Sequence, residues 1–180
     1  MDYHYPYPHP AVTADCVLFG LDDDGLQVLL VERRNEPFKG RWAFPGGFMN
    51  MDETVEQCAV RELAEETGVG PLHVEQLITA SAVDRDPRER TVSVVFLAVA
   101  RKVACMVSAG DDARSAQWFP WNEVPPLAFD HDEILRVAVS TLRHRILDPM
   151  DACGFLQPGL GAEDRTRIGE ILQRKPKGDG

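Results

Sequence analysis

Between Asp52 and Glu66 the sequence sets six acids (Asp52, Glu53, Glu56, Glu62, Glu65 and Glu66) against one base, Arg61. That is a local balance of −5 in a chain whose formal net charge is −10. Thr54 and Gln57 have the S/T-x-x-E/Q spacing of a capping box, which predicts a helix over about 54–66. At about 100° per residue, Thr54, Gln57, Arg61 and Glu65 share one polar stripe. Val55, Cys58, Ala59 and Leu63 form the opposite stripe, widened by Val60 and Ala64, as expected of a helix covered on more than one side. Glu62 and Glu66 fall within that apolar face. An isolated carboxylate there costs several kcal/mol unless it is paired, protonated or bound to a cation. Oxygen donors at this density suit a hard divalent cation such as Mg²⁺ or Mn²⁺. A solvated acidic helix held by Arg61–Glu65 pairing would account for Glu56 and part of Glu65, but not for Glu62 and Glu66.

The elements that must position these carboxylates are legible as alternating apolar runs. AVTADCVLFGL and LQVLLVER flank Asp22-Asp23-Asp24-Gly25, an Asp-Gly turn that predicts a hairpin. Residues 34–41 contain Pro37 and Gly40 and are expected as a loop, followed by the short segment WAFPGGF. Further strands are expected near 73–83 and 91–100, joined by the charged loop DRDPRER, with a shorter one around 117–121. A second helix should start at Asp130, where Asp130 and Glu133 have capping-box spacing, and bury Ile134, Leu135, Ala138, Leu142 and Ile146. Past Pro149 the chain turns Gly- and Pro-rich, with one weak helix over 163–173 and the polar tail KPKGDG. With four to seven strands expected, the fold class is α/β or α+β. Residues 1–10, MDYHYPYPHP, are too proline-rich for a helix or central strand. They read as an extended arm, either disordered or loosely docked, or an aromatic strap packed on a partner subunit.

Composition narrows the function classes. At 180 residues and 44% hydrophobic content, one domain with a modest extension buries enough surface to fold without staples. The 19 basic and 29 acidic residues argue against a general nucleic-acid binder, which needs a basic footprint. There is no apolar run long enough to span a membrane and no secretory start. Cys16, Cys58, Cys105 and Cys153 are widely spaced and form no CxxC pair, which fits a reducing, cytoplasmic setting.

The acidic segment also carries a longer pattern, G-x5-E-x7-R-E-U-x-E-E-x-G-U with U aliphatic. Gly47, Glu53, Arg61, Glu62, Leu63, Glu65, Glu66, Gly68 and Val69 fill every specified position. This resembles the Nudix hydrolases over about residues 11–147, leaving the arm and residues 148–180 outside. The resemblance implies an α/β/α sandwich around a mixed β-sheet and Mg²⁺-dependent hydrolysis of a nucleoside diphosphate linked to another moiety. It implies metal ligation by Glu62 and Glu66, by Glu65 directly or through water, and by the Gly46 carbonyl, with Arg61 orienting the glutamates. The general base differs within the family. Glu65 and Glu53 rank first here, ahead of Asp84, Asp86 and Glu89 on the charged loop. Gly68 is placed to end the helix.

Two weaker likenesses concern the substrate. SAVDRDPRERTVSVVFLAV and PPLAFDHDEIL resemble segments of the branch that includes ADP-ribose pyrophosphatases and related regulators of NAD metabolism. Arg85, Arg88 and Arg90 are phosphate-binding candidates, although a solvated turn of mixed charge reads equally well. Trp42, Trp121 and Phe129 are either adenine-stacking or core residues. His131 either contacts substrate or donates to a terminal carbonyl. The expected reaction is ADP-ribose to AMP and ribose 5-phosphate; the alternatives are a nucleoside triphosphate pyrophosphohydrolase and a non-catalytic ADP-ribose sensor. The sensor is disfavoured by the intact motif and by the short Gly- and Pro-rich segment past Leu147, where such regulators carry a winged helix. The expected partner is a small nucleotide, with neither nucleic acid nor membrane, and homodimerisation would give the arm a purpose.

Overall fold

The computed structural model describes residues 5–108 and 113–173; the first four residues of the expected arm and the KPKGDG tail lie outside the described residues. In chain order the elements are β1 (Ala11–Asp22), β2 (Gly25–Arg33), β3 (Trp42–Ala43), β4 (Gly46–Phe48), α1 (Val55–Thr67), β5 (Glu75–Ala80), β6 (Thr91–Arg101), β7 (Ala113–Pro120), α2 (His131–Arg145) and α3 (Ala162–Gln173). All seven strands join one mixed sheet. Its main path runs β3-β2-β1-β6-β5, with β4 paired to β1 and β7 to β2. β1 and β6 are parallel, and the other pairings are antiparallel.

The long apolar runs arise because the central strands are covered on both faces. β1 sends Ala14, Cys16 and Leu18 toward α1, and Val17, Phe19 and Leu21 toward α2 and α3. β6 divides in the same way, with Phe96 and Ala98 on the first side and Val95, Leu97 and Val99 on the second. The result is an α/β/α sandwich, as the sequence implied. Leu63 of α1, fully buried, anchors the helix to its face; a side chain of this size contributes ~1.5–3 kcal/mol by leaving water.

Helix α1 starts as its sequence dictates. The Gln57 N–H donates to Thr54 Oγ1 at 3.2 Å and the Thr54 N–H to Gln57 Oε1 at 2.8 Å, completing the capping box. It ends at Gly68, whose φ of 72° is the left-handed conformation that glycine adopts freely. The expected double-sided cover is not found: Cys58, Ala59, Leu63 and Thr67 are buried, while Ala64 is exposed. Alanine is as good a helix former in water as in a core, so its presence carries no burial signal. The expected capping box of α2 is also absent. Asp130 occupies the start position but caps nothing with its side chain; both of its oxygens accept from Arg85 instead.

Residues 151–173 pack on the second face. Cys153, Phe155, Ile168 and Leu172 join the core cluster of α2. The Val99 N–H donates to Phe155 O at 2.8 Å, and the Gln157 N–H to Val99 O at 2.9 Å. The segment is fastened by Arg145, whose guanidinium holds Asp151 at 2.5 and 2.8 Å and also bonds Glu75. Arg145 pulls the Asp151 carboxyl below its usual 3.8, so its stabilisation is complete above pH 4 and is lost as pH falls through the lowered value. Asp151→Asn should lower Tm by about 1–3 °C at pH 7, and by less in each step below pH 4. Scanning calorimetry from pH 7 to pH 2.5 checks this; a constant difference would sink it.

Candidate active site

The register of β4 on β1 brings the acidic helix to the sheet. Gly46 and Gly47 lie opposite Asp15 and Ala14. A Cβ on Gly47 would come within 2.5 Å of the Glu62 carboxylate, and a Cβ on Gly46 would meet Asp15. Both glycines therefore hold open space for carboxylates. They border a cleft of about 430 Å³ whose lining includes Asp15, Arg33, Phe44, Glu62, Glu66, Arg85, Arg88, Phe129 and His131.

On α1 the acids divide into two sets. Arg61 clamps Glu53 through Nε at 2.9 Å and Nη2 at 2.6 Å, and reaches Glu62 at 2.7 Å and Glu65 at 3.0 Å through Nη1. These bonds to Arg61, with the Asn50 N–H, depress the Glu53 carboxyl to about 2. Glu65 is largely exposed. Glu62 and Glu66 line the cleft. Burial raises Glu62 despite Arg61, and pushes Glu66 up to about 8 even though the Gly46 N–H donates to it at 3.0 Å. The charged form of Glu66 is short of a counter-charge.

Among the described residues no three His, Cys, Asp or Glu side chains converge as a complete metal-ligand set. The donors still fit Mg²⁺ or Mn²⁺, because Mg²⁺ is held by one or two carboxylates together with water and phosphate oxygens rather than by an all-protein cage. Glu62 and Glu66 would be those two carboxylates, with the backbone of Gly46 beside them.

The arginines predicted to hold phosphate are already committed. Arg85 is buried against Asp130, with bonds of 2.9 and 2.7 Å. Arg88 is paired in the same manner with Asp86, at 3.0 and 2.7 Å. Arg90 bonds the carbonyls of Ser81, Ala82 and Thr91, closing its own loop, and is not among the lining residues. Asp84 and Glu89 are exposed outside the cleft. Trp121 lines a separate groove with Arg167 and Ile171. Trp42 packs edge-on against Phe119 with ring centroids 4.7 Å apart. Trp121 and Trp42 are thus placed away from any ligand in the cleft. Phe129 and His131 do line it.

Sequence reasoning missed two residues. Asp15 is buried on β1 and accepts a short hydrogen bond from Ser93 Oγ. Arg33, at the end of β2, donates through Nε to Pro37 O at 2.8 Å and lies 4.7 Å from the Phe129 ring centroid. No ion pair joins it to a carboxylate among the described residues. Phe129 itself has φ 55°, a costly conformation for a bulky residue and one that concentrates at functional sites. The signal for Asp15 was a lone acid inside an apolar strand; Arg33, at a strand end beside a loop, carried none.

Comparison with known proteins agrees with this geometry. The family model described as NUDIX domain matches residues 9–138. An ADP-ribose pyrophosphatase of Methanocaldococcus jannaschii is 44% identical over 130 residues, 72% of this chain and 73% of that protein. The ADPR responsive transcriptional repressor NtrR of Acinetobacter baylyi is 34% identical over 170 residues, 92% of this chain and 68% of that protein. A likeness of that extent reaches beyond Leu147. The NUDIX domain of Shewanella oneidensis NrtR, solved with ADP ribose, superposes with TM-score 0.71 at 39% identity, covering 77% of this chain and 94% of that one. The same NrtR solved with a 27mer DNA gives TM-score 0.74 at 35% identity, over 92% and 77%. An acidic total charge therefore does not exclude nucleic acid, because net charge averages over local patches. By its motif, its fold and these relatives, the chain belongs to the Nudix family, in the ADP-ribose pyrophosphatase-like branch.

Proposed function

We propose that the chain hydrolyses the diphosphate of ADP-ribose to AMP and ribose 5-phosphate, with Mg²⁺ or Mn²⁺ held at Glu62, Glu66 and Gly46. The observation that carries this reading is a single cleft joining two half-buried carboxylates to a guanidinium that forms no ion pair with an acid among the described residues. A divalent cation supplies charge for the phosphate oxygens and acidifies a bound water. The chain's own residues do the rest. Arg61 fixes the rotamers of Glu53, Glu62 and Glu65. Arg33 neutralises phosphate charge. Glu65 is the better base, because Glu53, with a carboxyl near 2 and both oxygens bonded to Arg61, has little affinity for a proton at neutral pH.

The test is AMP release from ADP-ribose with Mg²⁺, with EDTA as control and a nucleoside triphosphate panel alongside. Metal-dependent AMP release supports the reading; turnover of triphosphates alone replaces the substrate. One observation favours a second reading: likeness to the Acinetobacter repressor spans 92% of the chain. In that reading the cleft binds ADP-ribose as a signal without turnover. Tight ADP-ribose binding with no AMP release, and DNA binding that ADP-ribose reverses in an anisotropy titration, would select it.

A further inference from the structure

His131 opens α2 at the cleft wall, almost wholly buried. Its Nδ1 accepts the Phe44 N–H at 3.0 Å. An accepting nitrogen carries no proton, so the neutral ring bears its hydrogen on Nε2. Burial lowers the ring's basicity and keeps it neutral, although Asp15 and Asp130 oppose this. Among the described residues no buried side-chain nitrogen or oxygen lacks a hydrogen-bond partner. Nε2 has no protein acceptor there, so it retains open surface, and the cavity that His131 lines is the cleft. The ring is also rigid, stacked on Phe44 with centroids 4.9 Å apart and planes 17° apart. The cleft therefore contains a fixed, uncharged donor, distinct in kind from the Arg33 cation.

We propose that His131 is a specificity-determining residue, its Nε2–H donating to an uncharged acceptor, a hydroxyl or ring nitrogen, on the part of a nucleoside diphosphate ligand beyond its phosphates. This rests on the nucleotide reading above. A charged donor serves any phosphate. A neutral donor on a side chain this deeply buried discriminates, because a ligand lacking the acceptor leaves it unpaired.

The test is calorimetric titration of the full chain with the methylene-bridged analogue of ADP-ribose in Mg²⁺, which the enzyme cannot cleave, and with inorganic pyrophosphate. His131→Asn places an amide near Nδ1, which keeps an acceptor for Phe44 and removes the Nε2 donor. It should bind the analogue about 10-fold more weakly, the effect of one hydrogen bond, with pyrophosphate affinity unchanged. Equal weakening of both ligands, or analogue affinity equal to native, overturns the inference. On the native chain, the His131 Nε2–H resonance should gain protection from water exchange with the analogue and not with pyrophosphate. This readout stands even if the variant does not fold, and equal exchange in both cases would be fatal to the idea. No binding of the analogue by the native chain would overturn the proposed function along with this inference. Native binding that His131→Asn leaves intact overturns this inference alone.

Discussion

Glu66→Gln should lower kcat for AMP release by ~10³-fold while leaving the metal-free protein at least as stable as native. Both halves follow from one feature. Glu66 is a half-buried carboxylate that accepts from the Gly46 N–H, and burial pushes its carboxyl up to about 8. An acid raised in the folded state costs stability above its unfolded value, because folding must take up a proton or desolvate the charge, so near pH 7.5 this carboxyl is a liability without a cation. Glutamine has the same shape, can still accept from Gly46, and carries no charge to desolvate. In EDTA at pH 7.5 the variant should melt about 2–4 °C above native, the shift that ~1 kcal/mol produces in a chain of this size. With Mg²⁺ present, the site has lost one of two charged donors. Lewis-acid stabilisation is worth several kcal/mol, hence the ~10³-fold loss. Parallel melting curves and initial rates, each with EDTA or Mg²⁺, decide the matter. A variant that melts lower in EDTA would show that Glu66 is structural, and one with native kcat would remove it from the site.

The opposite signs expected of these two effects show why the sequence could point to a candidate site at all. Folding physics alone would not retain Glu62 and Glu66 on the sheet-facing side of α1, so their presence there is a functional signal. The capping box at Thr54 and the stop at Gly68 were legible for a simpler reason: each is set by residues near one another in the chain. What the sequence concealed was pairing across long separations. Arg85 and Asp130 are 45 residues apart, and nothing in either segment says that they neutralise each other. That single pairing took the expected helix cap from Asp130 and gave Arg85, which still lines the cleft, a protein partner. Arg88 was concealed differently. Its partner Asp86 is two residues away, but loop conformation decides whether neighbours pair or point apart. The packing of residues 151–173 depended on Phe155 and Leu172 finding the face of α2, which a Gly- and Pro-rich composition masks.

With Arg85 and Arg88 paired to Asp130 and Asp86, the proposed phosphate contact is assigned to Arg33, and Arg33→Ala should raise KM for ADP-ribose by about 30–100-fold. The physical case is one of availability. A guanidinium already paired to a carboxylate has part of its charge offset and fewer donors left for a phosphate, so its net gain is smaller. Among the described residues Arg33 forms no ion pair with a carboxylate. Burial and the nearby Arg88 charge press against its ionised form, only partly offset by the Glu66, Asp86 and Asp15 charges, a balance that an incoming anion would improve. Its position is fixed by Pro37 O behind and the Phe129 ring beneath, so little side-chain entropy is lost on binding. A charge-assisted hydrogen bond contributes ~1.5–3 kcal/mol, which sets the expected range. Arg33→Lys keeps the charge but loses the fork and the stack, and should recover only part of the affinity. If the contact is made equally to substrate and transition state, the loss appears in KM with kcat nearly native; a contact made only at the transition state would lower kcat instead. Rates for Arg33→Ala, Arg33→Lys and Arg85→Lys across ADP-ribose concentrations separate the cases. A native KM in Arg33→Ala, or a larger loss in Arg85→Lys, would return phosphate binding to the loop, because a residue held by Asp130 would then have proved free to leave it.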